Sequence, residues 1–352
     1  MRYVRCGELE VSCIGLGTRT FGGAKYRAGK WQDTLDYALE CGINLMDTSP
    51  NYQKGHSEEM LGRMLKGKRR RVLLSTKVGT HGSDTLLTPA AVRRTLHESM
   101  KRLQTDYIDI LFVHYPDPRV EYDEIAGTLQ SLKQEGSIRC WGLSNFDCRE
   151  LNRWPMSEPP GFLQIPYSLL QRDRYDEVSG FMARQGIVPV AYTPLAMGLL
   201  ALPPEKISAA AGYPSMLYSL LSSEGKDAFS RLHQAAAEHK LSSAAMALAW
   251  SLNDGKNVVL TGLGSREHID QAIKGLEAAG ESFIRYLPPI PQPVLPIKAE
   301  VGKVLKIGDG ETLVQLKIAD LGAQVPLWID GPAAVGDELK VDGLTGKLIS
   351  PG

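Results

Sequence analysis

The chain has 352 residues, of which 43% are apolar, and 40 basic side chains balance 40 acidic ones. This length suits one large α/β domain with a smaller appended part, and the composition is that of a globular protein. A net charge of zero argues against nucleic acid or an anionic membrane surface as a partner.

Targeting and redox signals point to the cytoplasm. The N-terminal stretch has no apolar signal core, and no run in the sequence approaches the length of a membrane span. The five cysteines are odd in number and lack the spacing of a metal site. We therefore expect reduced thiols, no bound metal and a cytoplasmic location.

From residue 14 to about 277, short apolar runs alternate with longer amphipathic ones that have helical spacing. Two earlier stretches around Gly7, residues 2–5 and 10–12, predict a small hairpin that closes the floor of the fold. The apolar runs predict eight strands, at 13–16, 43–46, 72–76, 108–113, 138–143, 162–166, 187–191 and 258–261. Eight strands with crossover helices are typical of a (β/α)₈ TIM barrel.

The sequence changes character near its C-terminal end. Residues 288–296 include five prolines, which predict a stiff linker. Strand patterns at 301–307 and 312–318 flank Gly308-Asp309-Gly310, a hairpin turn signal. Shorter strands follow at 324–329, 339–341 and 347–350. The pattern predicts a small all-β domain of the OB- or SH3-like kind.

The predicted organisation is a barrel over residues 1–285, a linker over 286–297 and the β-domain over 298–352. The last segment has six lysines against eight carboxylates, so it lacks the positive surface of a nucleic-acid-binding barrel. We favour one of two roles for this segment: oligomerisation, which would give a homo-oligomer held through it, or barrel capping.

Four polar side chains each follow a short apolar run that predicts a strand: Asp47, Tyr52, Lys77 and His114. Because the carboxyl ends of barrel strands share one rim, these groups are expected to converge there. A phenol has an ordinary pKa of roughly 10 and is an acid matched to an alkoxide.

In this hypothesis Tyr52 is the general acid, and the Lys77 ammonium lowers the pKa of the phenol. Asp47 holds the lysine, and His114 orients a carbonyl oxygen. Taken singly, each residue is more commonly structural or solvated than catalytic.

The surrounding strings are more specific than the single residues. They are Met46-Asp47-Thr48-Ser49-Pro50-Asn51-Tyr52, Gly55-His56-Ser57-Glu58, Gly15-Leu16-Gly17-Thr18 and Gly142-Leu143-Ser144-Asn145-Phe146. With Thr76-Lys77 and Val113-His114, they resemble the aldo-keto reductase family over about residues 1–280. The resemblance implies a barrel that binds NADP(H) without a Rossmann motif, and it places the catalytic tetrad on Asp47, Tyr52, Lys77 and His114.

The resemblance also implies a set of cofactor ligands. These are Thr18, Ser144, Asn145, Gln164, Tyr192, Thr193, Leu195, Gly198, Gly262, Ser265 and Arg266, with Tyr192 stacked on the nicotinamide and Arg266 on the 2′-phosphate. Downstream of Arg266 the chain departs from the family pattern, with His268, Gln271 and Ala272. NADP(H) is the expected cofactor, NAD(H) stays open, and a solvent-facing role is the alternative for Arg266.

Aromatic side chains in the predicted loops, Phe21, Tyr26, Trp31 and Tyr115, are candidates for substrate contact, with loop packing as the alternative. The leading hypothesis is an NADP(H)-dependent oxidoreductase acting on an aldehyde, a ketone or the corresponding alcohol, sugars included. The alternative is a regulatory or scaffold subunit that senses the nucleotide with little turnover.

Overall fold

The computed structural model describes residues 1–19, 21, 28–79, 87–117, 119–209, 219–252, 257–262, 264–291, 297–307, 311–318, 323–330, 335–341 and 348–349. The first two strands form the predicted N-terminal hairpin. Strands β1 (Tyr3–Cys6) and β2 (Leu9–Ser12) pair antiparallel around the turn that contains Gly7.

Eight further strands close into a parallel barrel, as the alternating pattern predicts. They are β3 (Ile14–Gly17), β4 (Leu45–Asp47), β5 (Leu73–Val78), β6 (Ile108–Val113), β7 (Ile138–Ser144), β8 (Phe162–Pro166), β9 (Val188–Tyr192) and β10 (Val258–Thr261). Each strand pairs with the next in chain order, and β10 closes the ring against β3. The carboxyl ends of all eight strands therefore share one rim.

Helices connect and surround the strands. They are α1 (Ala28–Glu40), α2 (His56–Met64), α3 (Pro89–Leu103), α4 (Tyr122–Gln134), α5 (Cys148–Arg153), α6 (Asp173–Gln185), α7 (Ser223–Glu238), α8 (Ser243–Leu252), α9 (Arg266–Ala278) and α10 (Ser282–Arg285). Helix α3 begins as its sequence predicts: the Thr88 hydroxyl accepts a hydrogen bond from the Ala91 amide, and Pro89 occupies the first turn.

Apolar side chains fill the barrel interior. Leu9 and Val11 of the hairpin pack there against inward-facing residues of the strands, so the hairpin closes the floor. Gly142 makes room for this packing, since a Cβ at that position would lie 2.5 Å from the Phe112 ring. A second, larger core lies between the barrel and the helices, and the two cores together hold the rim rigid.

Short 3₁₀ turns shape the rim itself. One, Tyr52–Gly55, follows β4, and two more, Ala196–Ala201 and Pro204–Ala209, follow β9. Loops at this end of a barrel carry functional groups on a rigid base.

The C-terminal segment forms five strands, β11 (Ile297–Ile307), β12 (Glu311–Ile318), β13 (Ala323–Asp330), β14 (Glu338–Val341) and β15 (Leu348–Ile349). They pair as an antiparallel sheet in the order β13-β12-β11-β14-β15. Val301 is buried in the larger core, and β13 contacts the turn Pro204–Ala209. The sheet therefore packs on the barrel beside a rim loop. Its OB- or SH3-like class and the domain boundaries stay predictions.

No helix in the described ranges is both long and apolar enough to cross a membrane.

Candidate active site

Lys77 lies at the centre of the site. It is the fifth residue of β5, and only 1% of its side chain is exposed. Its Nζ donates to Asp47 Oδ2 at 2.7 Å, to the Thr48 carbonyl at 2.8 Å and to the Tyr52 hydroxyl at 3.3 Å. The ammonium has three donors, and each has an acceptor, so the lysine is held in one geometry.

Asp47, the last residue of β4, is buried beside Lys77 and has further partners. Its Oδ1 accepts from Ser75 Oγ at 2.7 Å and from Gln164 Nε2 at 3.2 Å. Ser75 was not among the predicted site residues. The signal was in the sequence, because residues two apart on a strand face the same side, and Ser75 lies two before Lys77.

The pKa values of Lys77 and Tyr52 are both raised. Burial lowers the pKa of Lys77, but the Asp47 carboxylate and the Tyr52 phenol together outweigh that effect. Burial raises the pKa of Tyr52, and the Lys77 ammonium works against burial without cancelling it. Lys77 therefore lowers the phenol pKa as expected, yet the net shift is upward, and Tyr52 keeps its proton at neutral pH.

His114 directly follows β6, the strand next to Lys77's own. Its backbone amide donates to the Val78 carbonyl at 2.8 Å, and its carbonyl accepts from Asn145 Nδ2 at 2.9 Å. The imidazole is partly exposed and stacks on the Tyr115 ring, with 4.6 Å between the two ring centroids. The backbone thus fixes the histidine at the same rim as Lys77.

Hydrogen bonds connect the predicted nicotinamide ligands to this centre. Gln164, bonded to Asp47, accepts from Ser144 Oγ at 3.4 Å, and Ser144 in turn accepts from Asn145 Nδ2 at 3.1 Å. Tyr192 donates to Asn145 Oδ1 at 2.6 Å. One continuous network therefore links the ammonium to the end of β9.

The loop after β9 has an unusual backbone. Thr193, Ala196, Met197 and Gly198 all have positive φ angles, of 52°, 47°, 59° and 97°. Left-handed conformations in succession cost free energy outside glycine, and they gather at ligand clamps, where backbone amides form anion-binding concavities.

The Thr193 hydroxyl in this loop indicates whether the loop suits a bound group. Its oxygen is buried, and no atom of the described residues bonds to it. A buried hydroxyl without a partner is destabilising, so a ligand that supplies one suits the position. The Thr193 hydroxyl at the end of β9 therefore fits a bound group that supplies a hydrogen-bond partner.

Other predicted cofactor ligands bond within the protein. Thr18 is buried, and its hydroxyl donates to the Asp47 carbonyl at 3.0 Å. The Leu195 carbonyl accepts from the Gly198 amide at 2.9 Å, and Ser265 Oγ caps α9 through the His268 amide at 3.3 Å. Gly262 is exposed at the end of β10. These four stay predictions as ligands.

Arg266, predicted to bind a 2′-phosphate or to face solvent, is exposed and forms an ion pair with Asp33, with 2.5 Å between Nη2 and Oδ1. Asp33 on α1 was not singled out from the sequence. The pairing joins two helices that are distant in sequence, and only the closure of the barrel brings them together.

The predicted substrate contacts divide by burial. Phe21 and Trp31 are buried against each other, with ring centroids 4.1 Å apart. Tyr115 is partly exposed beside His114. Tyr26 lies outside the described residues. Tyr115 is therefore the candidate placed best to meet a substrate.

The sequence model of the Aldo/keto reductase family matches residues 13–279 of this chain. The match covers the whole parallel barrel and ends before the C-terminal sheet.

Relatives agree with that match. The chain is 37% identical over 211 residues to Aldo-keto reductase YhdN of Bacillus subtilis (strain 168), covering 57% of this chain and 64% of that protein. It is 33% identical over 216 residues to the NADH-specific methylglyoxal reductase of Escherichia coli (strain K12), covering 55% and 66%. The chain thus spans just under two thirds of the length of each of these two curated relatives.

A solved structure is similar over a larger part of the chain. It is an aldo/keto reductase from Klebsiella pneumoniae in complex with NADP and acetate, with a TM-score of 0.66 and 25% identity. The similarity covers 83% of this chain and 97% of that one.

Proposed function

Because the chain belongs to the aldo/keto reductase family, we propose that it is an NADP(H)-dependent oxidoreductase acting on an aldehyde, a ketone or the corresponding alcohol, sugars included. When bound, the cofactor supplies or accepts the hydride. Binding of NAD(H) in its place stays open, since one relative is an NADH-specific enzyme.

The observation that carries this proposal is the position of Lys77 Nζ, bonded at once to the Asp47 carboxylate and the Tyr52 hydroxyl. The ammonium stabilises the phenolate that remains after Tyr52 gives up its proton. Asp47 keeps the lysine charged in a buried place. Tyr52 is thus equipped to protonate a substrate oxygen in reduction and to accept that proton in oxidation.

The residues proposed to hold the cofactor are those that the family resemblance implies, and the hydrogen-bond network supports them. Ser144, Asn145 and Gln164 offer amide and hydroxyl groups to a carboxamide, and the Tyr192 ring offers a face for stacking. The Thr193 hydroxyl offers a donor to a phosphate, whereas the Ala196 and Gly198 amides already donate to the Thr193 and Leu195 carbonyls. Of these proposed ligands, Gln164 donates directly to the Asp47 carboxylate, so cofactor binding and proton transfer use one hydrogen-bonded frame.

His114 and Tyr115 are proposed to face the substrate. The imidazole orients the carbonyl oxygen toward Tyr52, and the stacked Tyr115 ring limits its rotation. A small 2-oxoaldehyde is a first substrate to try, because the relative from Escherichia coli is a methylglyoxal reductase.

A cytoplasmic location is also proposed, because all five cysteines are free thiols, which suits a reducing compartment.

The test is a fluorescence titration of the full chain with NADPH and NADH, followed by turnover of a carbonyl panel at the nicotinamide absorbance. Binding with multiple turnover is the expected result. Failure to bind either nucleotide would overturn the proposal. Tight binding without turnover on any carbonyl would favour the nucleotide-sensing alternative.

A further inference from the structure

The guanidinium of Arg266, which is predicted to bind a 2′-phosphate, is already paired with the Asp33 carboxylate. Arg266 Nε donates to Asp33 Oδ2 at 3.0 Å and Nη2 donates to Oδ1 at 2.5 Å. The pair is thus bidentate, with one edge of the guanidinium filled by the carboxylate. About half of each side chain is exposed, 55% for Arg266 and 56% for Asp33. A ligand arriving at this corner meets both residues.

Two more residues complete what we name the α1–α9 corner, made of Asp33, Tyr37, Arg266 and Asp270. The Arg266 guanidinium lies over the Tyr37 ring, 4.8 Å from its centroid. The Tyr37 hydroxyl donates to Asp270 Oδ1 at 2.7 Å. Because residues four apart share a helix face, Asp33 and Tyr37 of α1 oppose Arg266 and Asp270 of α9.

The charge of the α1–α9 corner is unfavourable for a further anion. Asp33 pairs with the guanidinium, Asp270 accepts from the Tyr37 hydroxyl beside it, and Glu40 on α1 adds a further negative charge to the surroundings of Arg266. A phosphate must displace Asp33 from the guanidinium or bind beside its carboxylate. A ribose hydroxyl, in contrast, can donate a hydrogen bond to that carboxylate.

The α1–α9 corner lies at the same end of the barrel as the candidate active site. Arg266 is the first residue of α9, five residues after the end of β10, the strand that closes the barrel against β3. Trp31 of α1 lies 3.9 Å from where a Cβ of Gly264 would stand. The corner therefore lies at the rim, between the first and last βα units.

We infer that Asp33 weakens the preference of this chain for NADPH over NADH: by holding Arg266 it disfavours the 2′-phosphate of NADPH, and its carboxylate can accept a hydrogen bond from the free ribose hydroxyl of NADH. This inference rests on the proposed function, because it requires the adenosine end of the cofactor to lie at the α1–α9 corner. Asp33 is a specificity residue and takes no part in proton transfer.

The experiment compares dissociation constants of NADPH and NADH for the unaltered chain and for Asp33→Asn. Removal of the charge frees Arg266, so NADPH binding should tighten about fivefold, while NADH binding stays unchanged or weakens. Calorimetry with adenosine 2′,5′-bisphosphate and adenosine 5′-monophosphate should show the same change, since these fragments differ only in the 2′-phosphate and lack the nicotinamide.

Asp36→Asn is the matched control. Asp36 is an aspartate on the same helix that pairs with Lys68 rather than with Arg266. Its loss should leave the NADPH-to-NADH ratio unchanged. Arg266→Ala should weaken NADPH binding and make Asp33→Asn without effect in the double variant.

The outcomes separate the inference from the proposed function. If the unaltered chain binds nucleotides but Asp33→Asn leaves the ratio unchanged, the inference is wrong and the function stands. Weaker NADPH binding in Asp33→Asn also overturns it, since Asp33 would then position Arg266 for the phosphate. If the unaltered chain binds neither nucleotide, both fail together.

Discussion

Two ion pairs at the same rim differ mainly in burial. Lys77 and Asp47 are 1% and 4% exposed, whereas Arg266 and Asp33 are 55% and 56% exposed. Water screens the Arg266–Asp33 pair, so breaking it to bind a ligand costs little free energy. Such a pair is suited to discriminating between ligands. The buried pair is screened little, and removing one partner leaves an isolated charge in the barrel. In our proposals, proton transfer therefore uses the buried Lys77–Asp47 pair, whose geometry is fixed. Cofactor selection uses the exposed Arg266–Asp33 pair, which can be broken.

The sharpest test of this contrast is Lys77→Met. The substitution leaves the Asp47 carboxylate buried without its counter-ion, which should cost about 3–5 kcal/mol of unfolding free energy. Turnover should fall by about a hundredfold or more, because the phenol loses the ammonium that stabilises its conjugate base. Denaturant unfolding and steady-state kinetics measure the two effects. Lys101→Met, at an exposed pair with Glu98, is the control and should change neither.

Tyr52→Phe should reduce turnover by about a hundredfold to ten-thousandfold, because it removes the proton donor. The fold should persist, since the phenol makes a single hydrogen bond, to Lys77, within the described part of the chain. NADPH titration and kcat are the measurements, with binding expected to be retained. Tyr115→Phe is the control for loss of a rim hydroxyl. Undiminished turnover in Tyr52→Phe would falsify the assignment of the acid.

The dependence on pH follows from the raised pKa of Tyr52. Reduction needs the protonated phenol, so its rate should stay level through neutral pH. It should decline, roughly tenfold per unit, only above the ordinary phenol pKa of about 10. Oxidation of the alcohol needs the deprotonated form and should rise with pH over the same range. A reduction rate that falls already between pH 7 and 9 would contradict this direction.

The pKa of Lys77 is raised, like that of Tyr52. Its pKa is raised by Asp47 and Tyr52. The stability that this ion pair contributes is present below the ordinary lysine pKa of about 10.4. It is lost as the pH rises through the still higher pKa of the folded state. Lys77 and Tyr52 therefore both keep their protons across neutral pH, and the charge of the site does not change there.

Arg266→Ala should have the smallest effect. Loss of an exposed ion pair should leave the unfolding temperature unchanged within measurement. Because Asp33 already holds the guanidinium, the dissociation constant of NADPH should rise only by about twofold, with little change for NADH. Thermal unfolding and nucleotide titration check the two statements. A marked drop in unfolding temperature would show that this pair, like the buried one, stabilises the fold.

Much of the barrel could be predicted from the alternation of apolar runs, because each strand and helix must bury one face. The eight-strand count and the N-terminal hairpin are confirmed. Strand ends shifted by a residue or two, as at β4, where Leu45–Asp47 replaces the predicted 43–46. Hydrogen bonding to both neighbouring strands fixes such ends, and periodicity alone does not reveal it.

The positions of the proposed tetrad could also be predicted, since Asp47, Tyr52, Lys77 and His114 lie at or just beyond strand ends in strings typical of the family. Ser75 could have been found by strand periodicity. The bond from Gln164 to Asp47 could not, because it crosses the barrel between strands 117 residues apart in sequence.

By itself the sequence determined which residues could carry the chemistry, since strand periodicity and local strings fix what reaches the rim. Only the tertiary structure decided what each of these groups contacts. Closure of β10 against β3 brings α9 beside α1 and places Asp33 on Arg266. Packing around Lys77 and Tyr52 decided that burial outweighs the ammonium in the pKa of the phenol. Both results depend on distances through space, and a linear pattern of residues carries no such distances.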